Sequence, residues 1–195
     1  FFWAAFHSGV AMTAIMVTLL RGKVGISEYV TKTTYHDLGK LVFAFSVFWM
    51  YLNWSQYIVI WYGMLPWEQP YFLRRFAEPY GVVTTTVLLL IFVLPFLGLL
   101  TRPPKKVPAV LAGFAGLILI GYWLERFLIT VPSIYEGEGL PLGIPEIGIA
   151  LGFLGLFGAS YLWFVSTFPM LPSPASLAAR DPGIVMVQTP ATTHH

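Results

Sequence analysis

Five stretches of this chain run for about twenty residues with scarcely a formal charge: 1–20, 41–62, 80–100, 107–130 and 147–168. Roughly 20 apolar residues in a helix cross the hydrocarbon core of a bilayer. Lipid offers the backbone no hydrogen bonds, so such a run must satisfy its own and therefore coils into a helix. None of the runs alternates with the period of two that a barrel strand needs. The composition agrees: 10% of residues are charged and 17% aromatic, where a soluble domain carries about a quarter charged. The expectation is an all-α, polytopic membrane helix bundle of five transmembrane helices over 1–168. A tail, 169–195, rich in Pro, Ala and Thr, reads as a linker or an arm laid on a partner. The chain opens on Phe-Phe-Trp without a methionine, a charged leader or a small-residue cleavage site. It is therefore expected to carry no signal peptide and to start part-way into a larger protein. With no cysteine, disulfides and thiolate-held clusters are excluded. A net charge of +2 is too small to argue for nucleic acid.

Five spans put the two ends on opposite sides. Connections 1–2 and 3–4 and the tail share one side and hold Arg21, Lys23, Lys32, Lys40, Arg102, Lys105, Lys106 and Arg180. The other side holds Arg74 and Arg75, with Arg126 at a helix end. Basic residues concentrate in cytoplasmic loops, so the C-terminus is expected in the cytoplasm. Pro95, inside the third run, is expected to kink its helix. Small residues at helix-packing spacing predict close-approach faces on Ala5, Gly9 and Thr13, and on Gly148, Gly152, Gly155 and Gly158.

Polar residues inside such runs carry the functional content. At 100° per residue, His36, Asp37, Lys40, Tyr51, Ser55 and Tyr62 fall within an arc of about 100°, while Ser46, Asn53 and Gln56 occupy another face. A helix with polar groups on two faces belongs inside a bundle or beside water. The functional reading is a proton entrance at His36, Asp37 and Lys40, continued by Tyr51 and Ser55. A structural reading of the same residues makes Thr34-x-x-Asp37 a capping box and Lys40 an anchor. Glu125 and Arg126, near the outer end of the fourth run, read either as a snorkelling pair or as a proton exit. Adjacent residues point about 100° apart, so each is expected to have its own partner on another helix. His7, in the outer third of the first run, reads either as hydrogen-bonded structure or as a further member of the proton route; it lies most of a bilayer from His36, so the two cannot share one haem iron. The 2–3 connection, with Trp67, Glu68, Arg74 and Arg75, reads as an amphipathic interfacial helix or as a docking ledge for a partner. The acidic 4–5 connection, with Glu136 and Glu138, could serve the same face.

The run His36-Asp-Leu-Gly-Lys-Leu-Val-Phe-Ala-Phe, then Phe48-Trp-Met-Tyr51, Trp54-Ser-Gln-Tyr-Ile-Val-Ile-Trp-Tyr62, Pro66-x-Glu68 and Tyr71-Phe-Leu-Arg-Arg75 resembles the ActF-type membrane subunits of alternative complex III, which are NrfD/PsrC-like. The likeness extends over most of 1–168 and is most specific over 36–75. It implies the second five-helix bundle of a ten-helix subunit in the bacterial inner membrane. It also implies a complex that oxidises quinol and passes electrons to a cytochrome c or another acceptor. Quinol, haem c and iron–sulfur clusters would belong to partner subunits, among them an NrfD-like sister. The proton route carried over is His36, Asp37 and Lys40, then Tyr51 and Ser55, then Glu125 and Arg126. Two rivals stand beside this reading: a scaffold that moves nothing, and half of a secondary transporter. The second expects polar groups at mid-membrane, whereas here the charges lie near helix ends.

Overall fold

The computed structural model describes residues 1–22, 30–135 and 139–168. Among these the regular structure is helical: α1 Phe2–Leu20, α2 Lys32–Tyr62, α3 Gln69–Phe76, α4 Tyr80–Leu88, a π-helical turn Leu89–Val93, α5 Leu94–Gly98, α6 Arg102–Lys105, α7 Pro108–Ile134 and α8 Ile144–Thr167. The chain divides into two compact units, Phe1–Pro141 and a second beginning at Leu142. Lys23, Glu136, Glu138 and the tail 169–195 lie outside the described residues.

Four helical rods are long and apolar enough to cross a membrane: Phe2–Leu20, Tyr80–Gly98, Pro108–Ile134 and Ile144–Thr167. The fifth expected span lies within α2, which is 31 residues long but falls short in apolar character. Asn53, Ser55 and Gln56, with the tyrosines and tryptophans around them, dilute it.

The start of α2 differs from expectation. Its N-cap is Thr31, whose hydroxyl accepts from the Thr34 N–H at 3.3 Å, while the Thr31 N–H donates to the Thr34 hydroxyl at 3.3 Å. The capping box is therefore Thr31–Thr34, one turn before the expected Thr34–Asp37. Two threonines satisfy the orphan N–H groups and leave the Asp37 carboxylate to find another partner. The helix thus starts nine residues before the apolar run and carries His36, Asp37 and Lys40 on its first turns.

Pro95 acts as expected, through a specific device. A proline in a helix lacks the N–H for the carbonyl four residues back, and its ring collides with that carbonyl. The preceding turn widens into the π-helical segment Leu89–Val93, with the Leu94 N–H donating to Leu89 O. The bulge seats Ile91, fully buried, against α7. A Cβ on Gly121 would come within 2.6 Å of Ile91 Cγ1 and 3.1 Å of Leu90 Cβ, so Gly121 is the socket that receives the bulge.

Helix α7 is the centre of the first unit and touches every other helical element there. Its buried face runs Leu111, Ala115, Ile118, Tyr122, Glu125, Leu128, spaced three and four apart as a single stripe demands. α1 turns Ala4, His7, Ala11 and Ala14 inward, and its alanines let the backbones of α1 and α7 approach. The expected stripe Ala5, Gly9, Thr13 is exposed among the described residues. The small-residue face that packs is displaced from it by about one residue. α2 contributes Tyr35, Gly39, Val42, Ser46 and Trp49. A Cβ on Gly39 would lie 2.9 Å from Lys105 Cβ, so the 1–2 and 3–4 connections meet at one end of the unit. α3 sits at the opposite end, where the Tyr71 hydroxyl donates to Ile129 O of α7 at 2.9 Å.

In the second unit, α8 is a 24-residue apolar rod. Its entry is fixed by Glu146, whose carboxylate accepts from the Gly143 N–H at 2.8 Å. Gly148, Gly152, Gly155 and Gly158 lie along it.

Candidate functional site

Among the described residues, the buried side chains of the first unit are apolar apart from tyrosine hydroxyls and four polar or charged groups: His7, Ser46, Lys105 and Glu125. Two of them, His7 and Glu125, fall in one layer where α1, α2 and α7 meet.

Glu125 is 5% exposed. A carboxylate cannot lose its hydration at that depth without donors, and two reach it. The Trp49 indole Nε1, from α2, donates to Oε1 at 2.8 Å. The Arg126 guanidinium donates to Oε2 at 2.8 Å. The second bond corrects an expectation. Adjacent residues do point apart at Cβ, but the arginine side chain is long enough to fold back around the helix and bring its fork to its neighbour. Its charge stays part-exposed, at 34% for the side chain, and the guanidinium lies 4.4 Å over the Phe1 ring. Glu125 alone conforms to the expectation of a partner on another helix.

One turn back on the same face of α7, the Tyr122 hydroxyl lies 2.8 Å from His7 Nδ1. Which of the two donates follows the tautomer of the ring. His7 is fully buried and stands edge-on to Phe45 with ring centroids 5.9 Å apart. Trp3, a turn earlier, donates its indole N–H to Phe45 O at 3.2 Å and so ties α1 to α2. Side chains from three helices thereby meet in one hydrogen-bonded layer of His7, Tyr122, Glu125 and Trp49. A recess of about 570 Å³ opens beside it, lined in part by Ser8, Tyr122, Trp123 and Arg126. The layer combines an imidazole, a phenol and a carboxylate, all hydrogen-bonding groups set among apolar helices.

Trp49→Phe tests whether the indole donor stabilises this layer. Phenylalanine keeps a ring in place but leaves Glu125 Oε1 without its α2 donor. A buried hydrogen bond to a charged group contributes about 2 kcal/mol, and thermal unfolding in detergent is expected to fall accordingly.

The other expected site residues lie elsewhere. Asp37 and Lys40 form an ion pair at 2.7 Å, each side chain 57% exposed. The hydrogen-bonded Lys40 ammonium holds the Asp37 carboxyl below its ordinary pKa. The His36 ring is pushed below its ordinary value by partial burial and by Lys40 and Lys106; Asp37 works against this and Lys105 with it. Tyr51 is 61% exposed and Ser55 half-buried, so the stripe 37–40–51–55 faces away from the core of this unit. Trp67, Glu68 and Arg74 are exposed and Arg75 is half-buried.

The residues that do line the interior of α2 are Tyr35, Gly39, Val42, Ser46 and Trp49, with Ser46 donating to Val42 O at 3.2 Å. At the basic end Lys105 is buried, its ammonium 4.6 Å over the Phe43 ring. Burial, then the charge of Lys40, pushes its pKa down. Among the described residues no group of three or more His, Cys, Asp or Glu side chains is placed to hold a metal ion. Neither the models of known protein families nor the curated proteins provide a match to the chain.

Proposed function

We propose that this chain is a membrane subunit of a quinol:cytochrome c (electron acceptor) oxidoreductase of the alternative complex III type, anchoring redox subunits and conducting protons. It would form the second bundle of an NrfD-like ten-helix subunit in a bacterial inner membrane, with five spans and a cytoplasmic C-terminus. Quinol, haem c and iron–sulfur clusters would reside in its partner subunits. The likeness of residues 36–75 supports the assignment to that complex. The fifth span would be α2, whose polar groups are tolerable in lipid where partners cover them.

The observation that carries the proton role is Glu125: a carboxylate shut inside apolar helices, bonded to Trp49 across a helix boundary, one turn from the His7–Tyr122 pair. Intramembrane ionisable residues are costly, and their commonest use is ion or proton movement. His7 joins Glu125 and Arg126 at the outer half of the route. His36, Asp37, Lys40, Tyr51 and Ser55 would form the inner half only if a neighbouring subunit covers their face of α2. Trp67, Glu68 and Arg74 remain available to an extramembrane partner.

The exposed Asp37–Lys40 pair favours a second reading, the static scaffold, because that pair is satisfied without any path. Purification of the tagged chain from its native membrane tests the assignment. Haem c and iron–sulfur subunits that co-purify with quinol:acceptor oxidoreductase activity support it; a chain that purifies without them removes it.

A further inference from the structure

A second cavity, of about 520 Å³, lies at the α3 end of the first unit, between α2, α3 and α4. Trp54, Tyr57, Trp61 and Phe72 give it aromatic walls, and Arg75 reaches into its lining. The Arg75 guanidinium lies 5.8 Å from the Tyr71 ring centroid and 5.9 Å from that of Phe72. Its Nε is buried and makes no hydrogen bond, and it joins no ion pair among the described residues. The backbone beneath it is pinned, since the Thr84 hydroxyl donates to Arg75 O. A fixed cation with a buried, unused donor, set in an aromatic hollow, is complementary to an amphiphile with an anionic head.

We propose that this cavity binds one phospholipid, its phosphate on Arg75 and an acyl chain along Trp54, Tyr57 and Leu88. Among the described residues neither a carboxylate nor a histidine lines the cavity. A hydroquinone bound there would find no group to take its protons, which argues against a quinol site. The Arg74–Arg75 pair thus divides, with Arg74 turned outward and Arg75 committed to lipid. The proposal rests on the membrane reading of the chain.

The test is lipid retention by the detergent-purified assembly, read as phosphorus content and by mass spectrometry of the extracted molecules. The wild type is expected to retain a phospholipid through washing. Arg75→Gln and Leu88→Trp, which remove the charge and fill the hollow, are expected to lower retention about tenfold, while Arg74→Gln retains as wild type does. Should Arg75→Gln fail to assemble, Leu88→Trp decides. Equal retention by a folded Arg75→Gln or Leu88→Trp chain overturns the proposal, as does extraction of a phosphorus-free quinone from the site. Release of the wild-type chain from membranes by alkaline wash would instead sink the membrane reading; a chain that resists the wash but retains no lipid sinks this proposal alone.

Discussion

Glu125→Gln is expected to assemble like wild type and to move protons at less than about a tenth of the wild-type rate, because a positioned proton-transfer group contributes about a hundredfold or more. The amide is nearly isosteric with the acid and keeps a carbonyl oxygen for the Trp49 indole. Arg126 loses a charged partner but is exposed enough to turn to water. What the amide cannot do is bind and release a proton. Proton release per electron, followed with a pH dye in vesicles carrying the complex, reads this directly. Asp37→Asn is the companion. Its stability is expected to be unchanged, since both members of the Asp37–Lys40 pair are more than half exposed and such pairs contribute little. A fall in translocation in both variants favours a route with two ends, a fall in Glu125→Gln alone confines the route to the buried layer, and unchanged translocation in both leaves the scaffold.

The largest structural effect is expected at Gly121. A leucine there must place its Cβ within 2.6 Å of Ile91 Cγ1 and near Leu90 Cβ. Neither neighbour can yield cheaply. Ile91 has no exposed surface, and both belong to the π-helical turn that Pro95 imposes. Overpacking of a tight core costs about 3 kcal/mol at the upper end of its usual range, enough to consume much of a bundle's marginal stability. The folded yield and melting temperature in detergent should both drop. Gly113→Leu, on the same helix with open space around it among the described residues, serves as the control and should fold. Equal behaviour of the two variants would mean that α7 does not pack on the bulge.

The helical rods were legible because lipid-length apolar runs leave few alternatives. α1, α7, α8 and the Pro95 rod begin and end within a few residues of expectation. Near its C-terminal end, α7 continues past Pro132 to Ile134; the proline forfeits its own N–H bond, and only two helical residues follow it.

The inward face of α2 was not legible. Polar residues lie on both sides of that helix, so hydrophobic contrast could not say which side turns inward. The signal that does identify it is steric: Tyr35, Gly39, Val42, Ser46 and Trp49 recur at alternating steps of four and three, with the glycine where Lys105 crosses. The partner of Glu125 is hidden for a related reason: Trp49 lies in the middle of α2, where a tryptophan reads as one more bulky apolar residue, and an indole N–H donated inward carries no separate sequence signature. The Arg126 contact escapes helix geometry taken at Cβ, because the guanidinium reaches back past it.

The central claim is that Glu125, enclosed by α1, α2 and α7, changes protonation as the complex works. Infrared difference spectra of the purified complex, taken between its resting and quinol-reduced states, test it most directly. The account predicts a carboxyl C=O band that shifts in deuterated water and disappears in Glu125→Gln. A spectrum without a carboxyl band, or one that Glu125→Gln leaves unaltered, would contradict it.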